Sequence, residues 1–423
     1  MTAAQARRRF LALVALRWLP VGVLIPVSVL LPLERGLSLA QLGSAAALQG
    51  LIVLLLELPT GGLSDAIGRR PVLLLAAAIE LSSLVLLTFA GSVAVFAAYF
   101  AMQGIYRALD SGPLEAWYVD RALAADEHAD IETGLARSGA VTGLAIATGA
   151  LVTGGVVLLG PLGAVSALSL PVFVALAAQA VTLIAVGVLM TEERQARGAV
   201  ALLASVRGVP RAIAGAVGLL RRSRVIVALV AVELFWGFGM VAFESLTPVR
   251  LAEVLGDPDD ASALMGPVGS VAWLASAAGA ALVPLLSRRI GAPWTGFVLR
   301  VLQGVTVAGM ALFAGPVGVV AAFVLCYTVH GAANPVHNGL LHRQVEGPYR
   351  ASLLSLNSMV ARPAGSLGLI VLTAIAGGAG VVPAILVGAA ALAAAAPLYL
   401  VARRPRFAAE PQGGISTTVL SPP

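Results

Sequence analysis

A handful of side chains that ionise or bond strongly lie inside long apolar stretches of this chain. A charge at the centre of a bilayer costs roughly 2.5–3.5 kcal/mol, so the charges kept there face a cavity or a partner. Gln103, Arg107 and Asp110 recur at spacings of four and three, on one face of a helix. Asp110 is placed to pair with Arg107 along that helix; the alternative is that one of the two serves substrate or a proton. Arg17 is a candidate for an anionic substrate group or for Asp110. Glu233 has Trp236 one turn away and is the expected proton-coupling residue, since a desolvated carboxylate exchanges a proton near neutral pH. The competing reading pairs Glu233 with Arg17 or another arginine. Glu244 shares its face, about 16 Å along the axis. His330, Asn334, His337 and Asn338 repeat at helical spacing and read as a polar stripe lining a cavity, with His330 also open to protonation. Two histidines seven residues apart do not make a metal site. Tyr106, Trp117, Tyr118, Trp236 and Tyr327 are candidates to stack on a planar substrate, although packing between helices is commoner.

The elements that position these groups follow from composition. Of 423 residues, 59% are apolar and 11% charged, less than half the charge of an average soluble domain. That excludes a soluble globular chain and a disordered one. Apolar segments of spanning length fall at 10–33, 41–63, 71–91, 93–119, 137–159, 163–190, 225–248, 263–286, 293–314, 317–341, 352–376 and 381–402. Each is close to the roughly 20 residues a membrane helix needs. No alternating strand pattern supports a barrel. The expectation is an all-α membrane protein of twelve transmembrane helices, with bundles at 1–190 and 225–405. A cytoplasmic amphipathic linker at 191–224 and a disordered tail at 406–423 complete it.

All basic residues are Arg. If the N-terminus is cytoplasmic, every loop arginine except Arg35 and Arg250 falls on that side, a strong positive-inside pattern with both termini inside a cell membrane. The clusters sit between apolar runs and not on one basic face, so nucleic acid is not an expected partner. Arg7-Arg8-Arg9 before an apolar run looks like a signal peptide, but no cleavage pattern follows, and the segment reads as an uncleaved first span. Cys326 is the single cysteine. No His-Glu-x-x-His, Ser/His/Asp set, P-loop or Cys/His cluster appears, so no catalytic residue, metal or cofactor is expected. A membrane-embedded enzyme is the remote alternative.

Shifting the second half by 223 residues aligns Leu63, Ser64, Ile67 and Gly68 with Leu286, Ser287, Ile290 and Gly291. Arg107 falls on His330 and Glu115 on Asn338, and Pro113 and Pro335 are expected to break both spans at nearly the same depth. Parallel six-span repeats are a transporter architecture. Gly61-x-Leu63-Ser64-Asp65-x-x-Gly68-Arg69-Arg70-x-x-Leu73 resembles the loop between helices 2 and 3 of the major facilitator superfamily, with Ala66 where a basic residue is usual. Glu57–Gly61 and Arg107–Trp117 resemble a bacterial branch of drug or metabolite efflux permeases. Gly154-Gly155 is similar to the helix 5 motif of antiporters, without its proline.

The resemblance implies two pseudo-symmetric six-helix bundles rocking about a mid-membrane site. It implies that Gly61, Asp65, Gly68, Arg69 and Arg70 form a gating latch, supported by Glu57 and Glu115. It lines the cavity with helices 1, 4, 7 and 10, gathering Arg17, Arg107, Asp110, Glu233 and His330, and leaves Glu80, Arg300 and Arg362 to structural pairing. The function so implied is proton-coupled efflux of a small drug-like or metabolite molecule by a monomer in the lipid bilayer. Uptake of a small organic anion is the alternative.

Overall fold

The computed structural model describes residues 1–192, 218, 220, 223–344 and 349–403. The expected amphipathic linker and terminal tail lie almost entirely outside the described residues. The first bundle consists of α1 (Ala3–Leu24), α2 (Leu30–Glu34), α3 (Leu39–Ile67), α4 (Arg69–Thr88), α5 (Val93–Asp110), α6 (Pro113–Ala125), α7 (Ile131–Val157) and α8 (Leu170–Leu189). The second consists of α9 (Arg224–Glu244), α10 (Leu246–Leu255), α11 (Pro258–Ile290), α12 (Ala292–Leu312), α13 (Pro316–His342), α14 (Tyr349–Ala379), α15 (Val381–Ala394) and α16 (Ala396–Tyr399).

Local chemistry sets the helix starts. Thr2 with Gln5 and Ser38 with Gln41 form reciprocal capping boxes at α1 and α3. Ser92, Asp130 and Ser223 cap α5, α7 and α9. Each satisfies an amide that the helix itself leaves open. Among the described residues, eleven helices are long and apolar enough to cross a membrane. The missing span is α5, whose hydropathy is lowered by Gln103, Arg107 and Asp110. With it there are twelve spans.

Two expectations are corrected. The fourth span is broken after Asp110, where Ser111 and Gly112 intervene and Gly112 takes φ +95°. Its counterpart α13 runs unbroken through Pro335. A proline alone removes one helical hydrogen bond, which membrane helices tolerate; an extended residue, Ser111, followed by Gly112 at positive φ ends the helix. The first span also begins and ends earlier than expected, because α1 starts at Ala3 and gives way to a 3-10 turn at Ile25–Val27.

The packing has two-fold pseudosymmetry. In the first bundle α1 packs on α7 and α8, α3 and α4 pack on α5, and α4 on α8. In the second, α9 packs on α14 and α15, α11 and α12 on α13, and α12 on α15. This is the same plan, span for span. The bundles meet along two related seams, α3 with α14 and α7 with α11. The repeated turns match as well. Gly68 (φ +97°, ψ 158°) and Gly291 (φ +78°, ψ 150°) join α3 to α4 and α11 to α12 in one conformation that side chains rarely adopt.

Among the described residues, three serine hydroxyls of the second bundle donate to backbone carbonyls of the first. Ser262 Oγ donates to Pro26 O (3.2 Å), Ser270 Oγ to Ala147 O (2.7 Å) and Ser366 Oγ to Ala47 O (3.0 Å). At the α7–α11 seam the backbones approach closely. A Cβ on Gly266 would stand 2.5 Å from Ala150 O, and one on Gly154 would stand 2.8 Å from Ala263 O. Small residues are what allow such contact.

Candidate functional site

A cavity of about 290 Å³ lies between the bundles, walled by α1, α3, α4, α5, α9 and α14. Its charged groups are Glu80 on α4, Arg107 on α5 and Glu244, the last residue of α9. Glu80 is 2% exposed. It accepts hydrogen bonds from Gln103 Nε2 (2.7 Å) and Ser83 Oγ (3.3 Å). Glu244 is exposed into the cavity. Arg107 acts electrostatically on both carboxylates, which are contributed by opposite bundles. Tyr99, Phe100 and Leu369 add apolar wall.

A second cavity, about 380 Å³, adjoins the break in the fourth span and is lined in part by Arg17, Arg107, Asp110, Glu115 and Arg362. Here Asp110 pairs with Arg17 and not with Arg107. The same Arg17 Nη2 also bonds the backbone carbonyl of Asp110 at 3.1 Å. That carbonyl ends α5, where helix carbonyls are unsatisfied and a cation is favourable. The pair leaves 12% of the Arg17 side chain and 17% of Asp110 exposed.

Glu233 sits elsewhere. It is 6% exposed, and His337 Nε2 approaches it at 3.1 Å inside the second bundle. The same Nε2 lies 3.2 Å from Asn357 Oδ1, and His337 Nδ1 lies 3.0 Å from the Tyr399 hydroxyl. Both neighbours of Nε2 are acceptors, so Nε2 carries the hydrogen. Arg300, 1% exposed, bonds Gln303 Oε1 at 2.6 Å and acts on Glu233 by its charge. Glu233 therefore belongs to a buried network drawn from five spans. It does not pair with Arg17 and is not part of the cavity wall.

The stripe on α13 is divided as well. His337 joins that network, while Asn334 and Asn338 are exposed. His330 stacks on Trp236, with ring centroids 5.8 Å apart and planes within 8°.

Sequence reading missed the cavity position of Glu80 and gave Glu244 no role. Their signal was available, since both are carboxylates inside apolar spans. A related pair of clusters was also hidden. Ser83 Oγ bonds Glu80 O (2.8 Å) beside Gln103, and under the 223-residue shift Thr306 Oγ1 bonds Gln303 O (2.9 Å) beside Cys326. The geometry is shared, but in the second copy Gln303 stands where the first has a carboxylate, and it bonds Arg300.

The loop between α3 and α4 is tied to its own bundle. The amides of Arg69 and Arg70 donate to the two carboxylate oxygens of Glu192, each at 2.9 Å. An anion at a helix N-terminus is favourable. Arg69 Nη1 pairs with Asp120 of α6 at 2.6 Å, and Arg70 Nη2 donates to Gly187 O at 2.6 Å. Gly68 makes the turn. The side chains at Glu57, Gly61 and Asp65 lie outside the described residues.

The family model described as Major Facilitator Superfamily matches residues 10–369. No curated protein matches the chain. Similar solved structures include the nucleoside transporter NupG, with TM-score 0.76 and 14% identity over 95% of this chain and 100% of that one. A bacterial homolog of the human lysosomal transporter Spinster, in an inward-facing and occupied conformation, gives 0.73 and 13% over 94% and 96%. A structure from a study of proton dependent oligopeptide transporters gives 0.69 and 12% over 95% and 99%. At these identities the likeness is one of fold.

Proposed function

Because this chain belongs to the major facilitator superfamily, we propose that the cavity between its bundles is the transport site of a non-enzymatic, proton-coupled exporter of small organic molecules working by alternating access. One observation carries the reading: two carboxylates, Glu80 and Glu244, face one arginine, Arg107, across the seam between the bundles. The surplus is negative, set in a partly aromatic wall. A neutral or cationic amphiphile fits that balance better than an organic anion. Of the two arginines that motivate the anion reading, Arg17 is engaged by Asp110 and Arg107 shares the cavity with Glu80 and Glu244.

The same surplus supports exchange over symport. A proton and a cationic substrate compete for one negative charge, so binding of either weakens binding of the other. A ligand that binds the two access states unequally shifts them in proportion to that difference. An inward proton gradient then drives the substrate out. In this proposal both termini are cytoplasmic in the cell membrane, on the arginine asymmetry of the loops. A single chain is the working unit, with 1–190 and 225–405 rocking about the cavity and 191–224 joining them.

The test starts from a thermal-stability screen of purified protein against small organic cations and anions, followed by transport of the hits in proteoliposomes with and without a pH gradient. Glu80→Gln and Glu244→Gln are expected to abolish gradient-driven accumulation and to leave downhill exchange. Retained coupling in both variants, with loss in Glu233→Gln, would move the coupling group into the second bundle and overturn the assignment.

A further inference from the structure

The two cavities form one path between the bundles. Val21 and Arg107 line both. Three helices run through both as well. On α1 the second cavity has Arg17 and the first Leu24; on α5 the second has Asp110 and the first Gln103; on α14 the second has Arg362 and the first Leu369. Members of each pair are seven residues apart, about 10 Å along a helix. Arg107 stands where the two spaces meet.

Charge is sorted along this path. The first cavity holds the carboxylates Glu80 and Glu244. In the second, Arg17 and Asp110 answer one another, which leaves Arg107, Arg362 and Glu115. The broken fourth span adds to the positive side. Ser111 and Gly112 at the break, and Leu114 and Glu115 in the first turn of α6, line the same space. A helix leaves its first amides open and carries roughly half a positive charge there. A half-helix that starts within a span can turn that end toward an anionic group of the cargo. The hydroxyl residues Ser138 and Thr142 of α7 complete the polar wall.

We propose that the second cavity is the acid subsite of this path, so that what is carried is an elongated zwitterion. Its amine lies by Glu80 and Glu244, and its carboxylate lies among Arg107, Arg362 and the start of α6, about 10 Å away along the helices. This rests on the reading that the first cavity is the transport site. The cargo stays neutral overall, as the balance of that cavity allows, and gains a defined length and a second charged end.

Three probes test it by calorimetry on the full chain in lipid nanodiscs: 4′-(aminomethyl)biphenyl-4-carboxylic acid, its methyl ester, and 4-(aminomethyl)benzoic acid. The ester keeps the shape and the amine without the anion, and the benzoic acid keeps both charges on a body one ring shorter. The long acid is expected to bind roughly ten-fold more tightly than its ester, the lower end of the range for a hydrogen bond to a charged group. The short acid reaches one end only and binds no better than the ester. Arg362→Gln is expected to narrow the preference for the long acid over its ester. Thr142→Asp, which sets a carboxylate in the α7 wall, is expected to reverse it. Both act on the acid and not on the ester, whose binding reports that the variants fold. Equal binding of acid and ester by the unaltered protein overturns the proposal. So does a preference that survives both variants, a short acid that binds as tightly as the long one, or no binding of any probe at about millimolar concentration. An acid preference that depends on Arg362, without pH-gradient-driven transport, would sink the exchange mechanism and leave this subsite standing.

Discussion

The α7–α11 seam gives the sharpest prediction. Gly266→Ala places a methyl 2.5 Å from Ala150 O and 2.9 Å from Gly154 Cα, where ordinary contact begins at 3.4 Å. The two backbones must part by nearly an ångström. Overpacking of this kind costs about 1–3 kcal/mol, and the cost falls only on the state in which the far ends touch. Alanine is otherwise the better helix former by about 1 kcal/mol, so helix propensity cannot explain a loss. A bias of about 1–3 kcal/mol shifts a two-state balance roughly 5- to 150-fold. The assay is a spin-label distance across the far end, from Leu162→Cys to Asp257→Cys; Cys326 is 0% exposed and stays unlabelled. Gly266→Ala should move the distribution to longer separations. Ser270→Ala, which loses the 2.7 Å bond to Ala147 O, should move it the same way by less. An unchanged distribution in folded Gly266→Ala protein would refute the claim that this contact holds the far end shut.

Other expectations concern single contacts. Arg17→Met strands Asp110; removing one partner of a buried pair costs about 3–5 kcal/mol, here at the lower end because of the residual exposure. If the first bundle melts as a unit of its size, the midpoint falls by about 6–12 °C. Asp110→Asn added to it should recover most of the loss, and a double variant no better than the single one counts against the pair. Gly68→Ala should melt lower than Gly36→Ala. Both glycines have positive φ, but a Cβ at 68 also meets Glu192 Oε2 at 2.9 Å, whereas one at 36 meets nothing within 4 Å; equal melting curves would contradict this. Tyr399→Phe removes the hydroxyl at His337 Nδ1 and should cost about 1–3 kcal/mol in stability. Proton-driven transport should persist in it, and its loss would implicate the buried network in coupling.

Much of this was legible in the residues, and the limit has a physical origin. Span number follows from apolar length, and the Gly68 turn and its echo at Gly291 follow from the repeat. Arg17 with Asp110 was one of two pairings open to the sequence. What stayed hidden is which way each span faces. In a soluble helix the polar face points to water and gives a direction. Here lipid and core are both apolar, so α3, α9 and their neighbours carry no such marker. Glu233 and Glu244 share a face of α9 by spacing, yet one enters the second bundle's interior and the other the cavity. That division depends on where His337 and Arg107 arrive from distant spans. The break after Asp110 was foreshadowed by Pro113, but the matching Pro335 misled: the chain leaves the helix at Ser111 and Gly112 before Pro113, whereas α13 continues through its proline.

The divided fourth span has a mechanical consequence. The two bundles share a contact plan but differ in compliance. In the second, α13 is one continuous strut from Pro316 to His342. In the first, the equivalent strut is jointed at Ser111 and Gly112, pinned above by Arg17 and below by the Arg69 contact to Asp120. A load applied to the first bundle is taken up at that joint, whereas the second passes it on from end to end. A rocker built on two-fold packing would on this account bend on one side only.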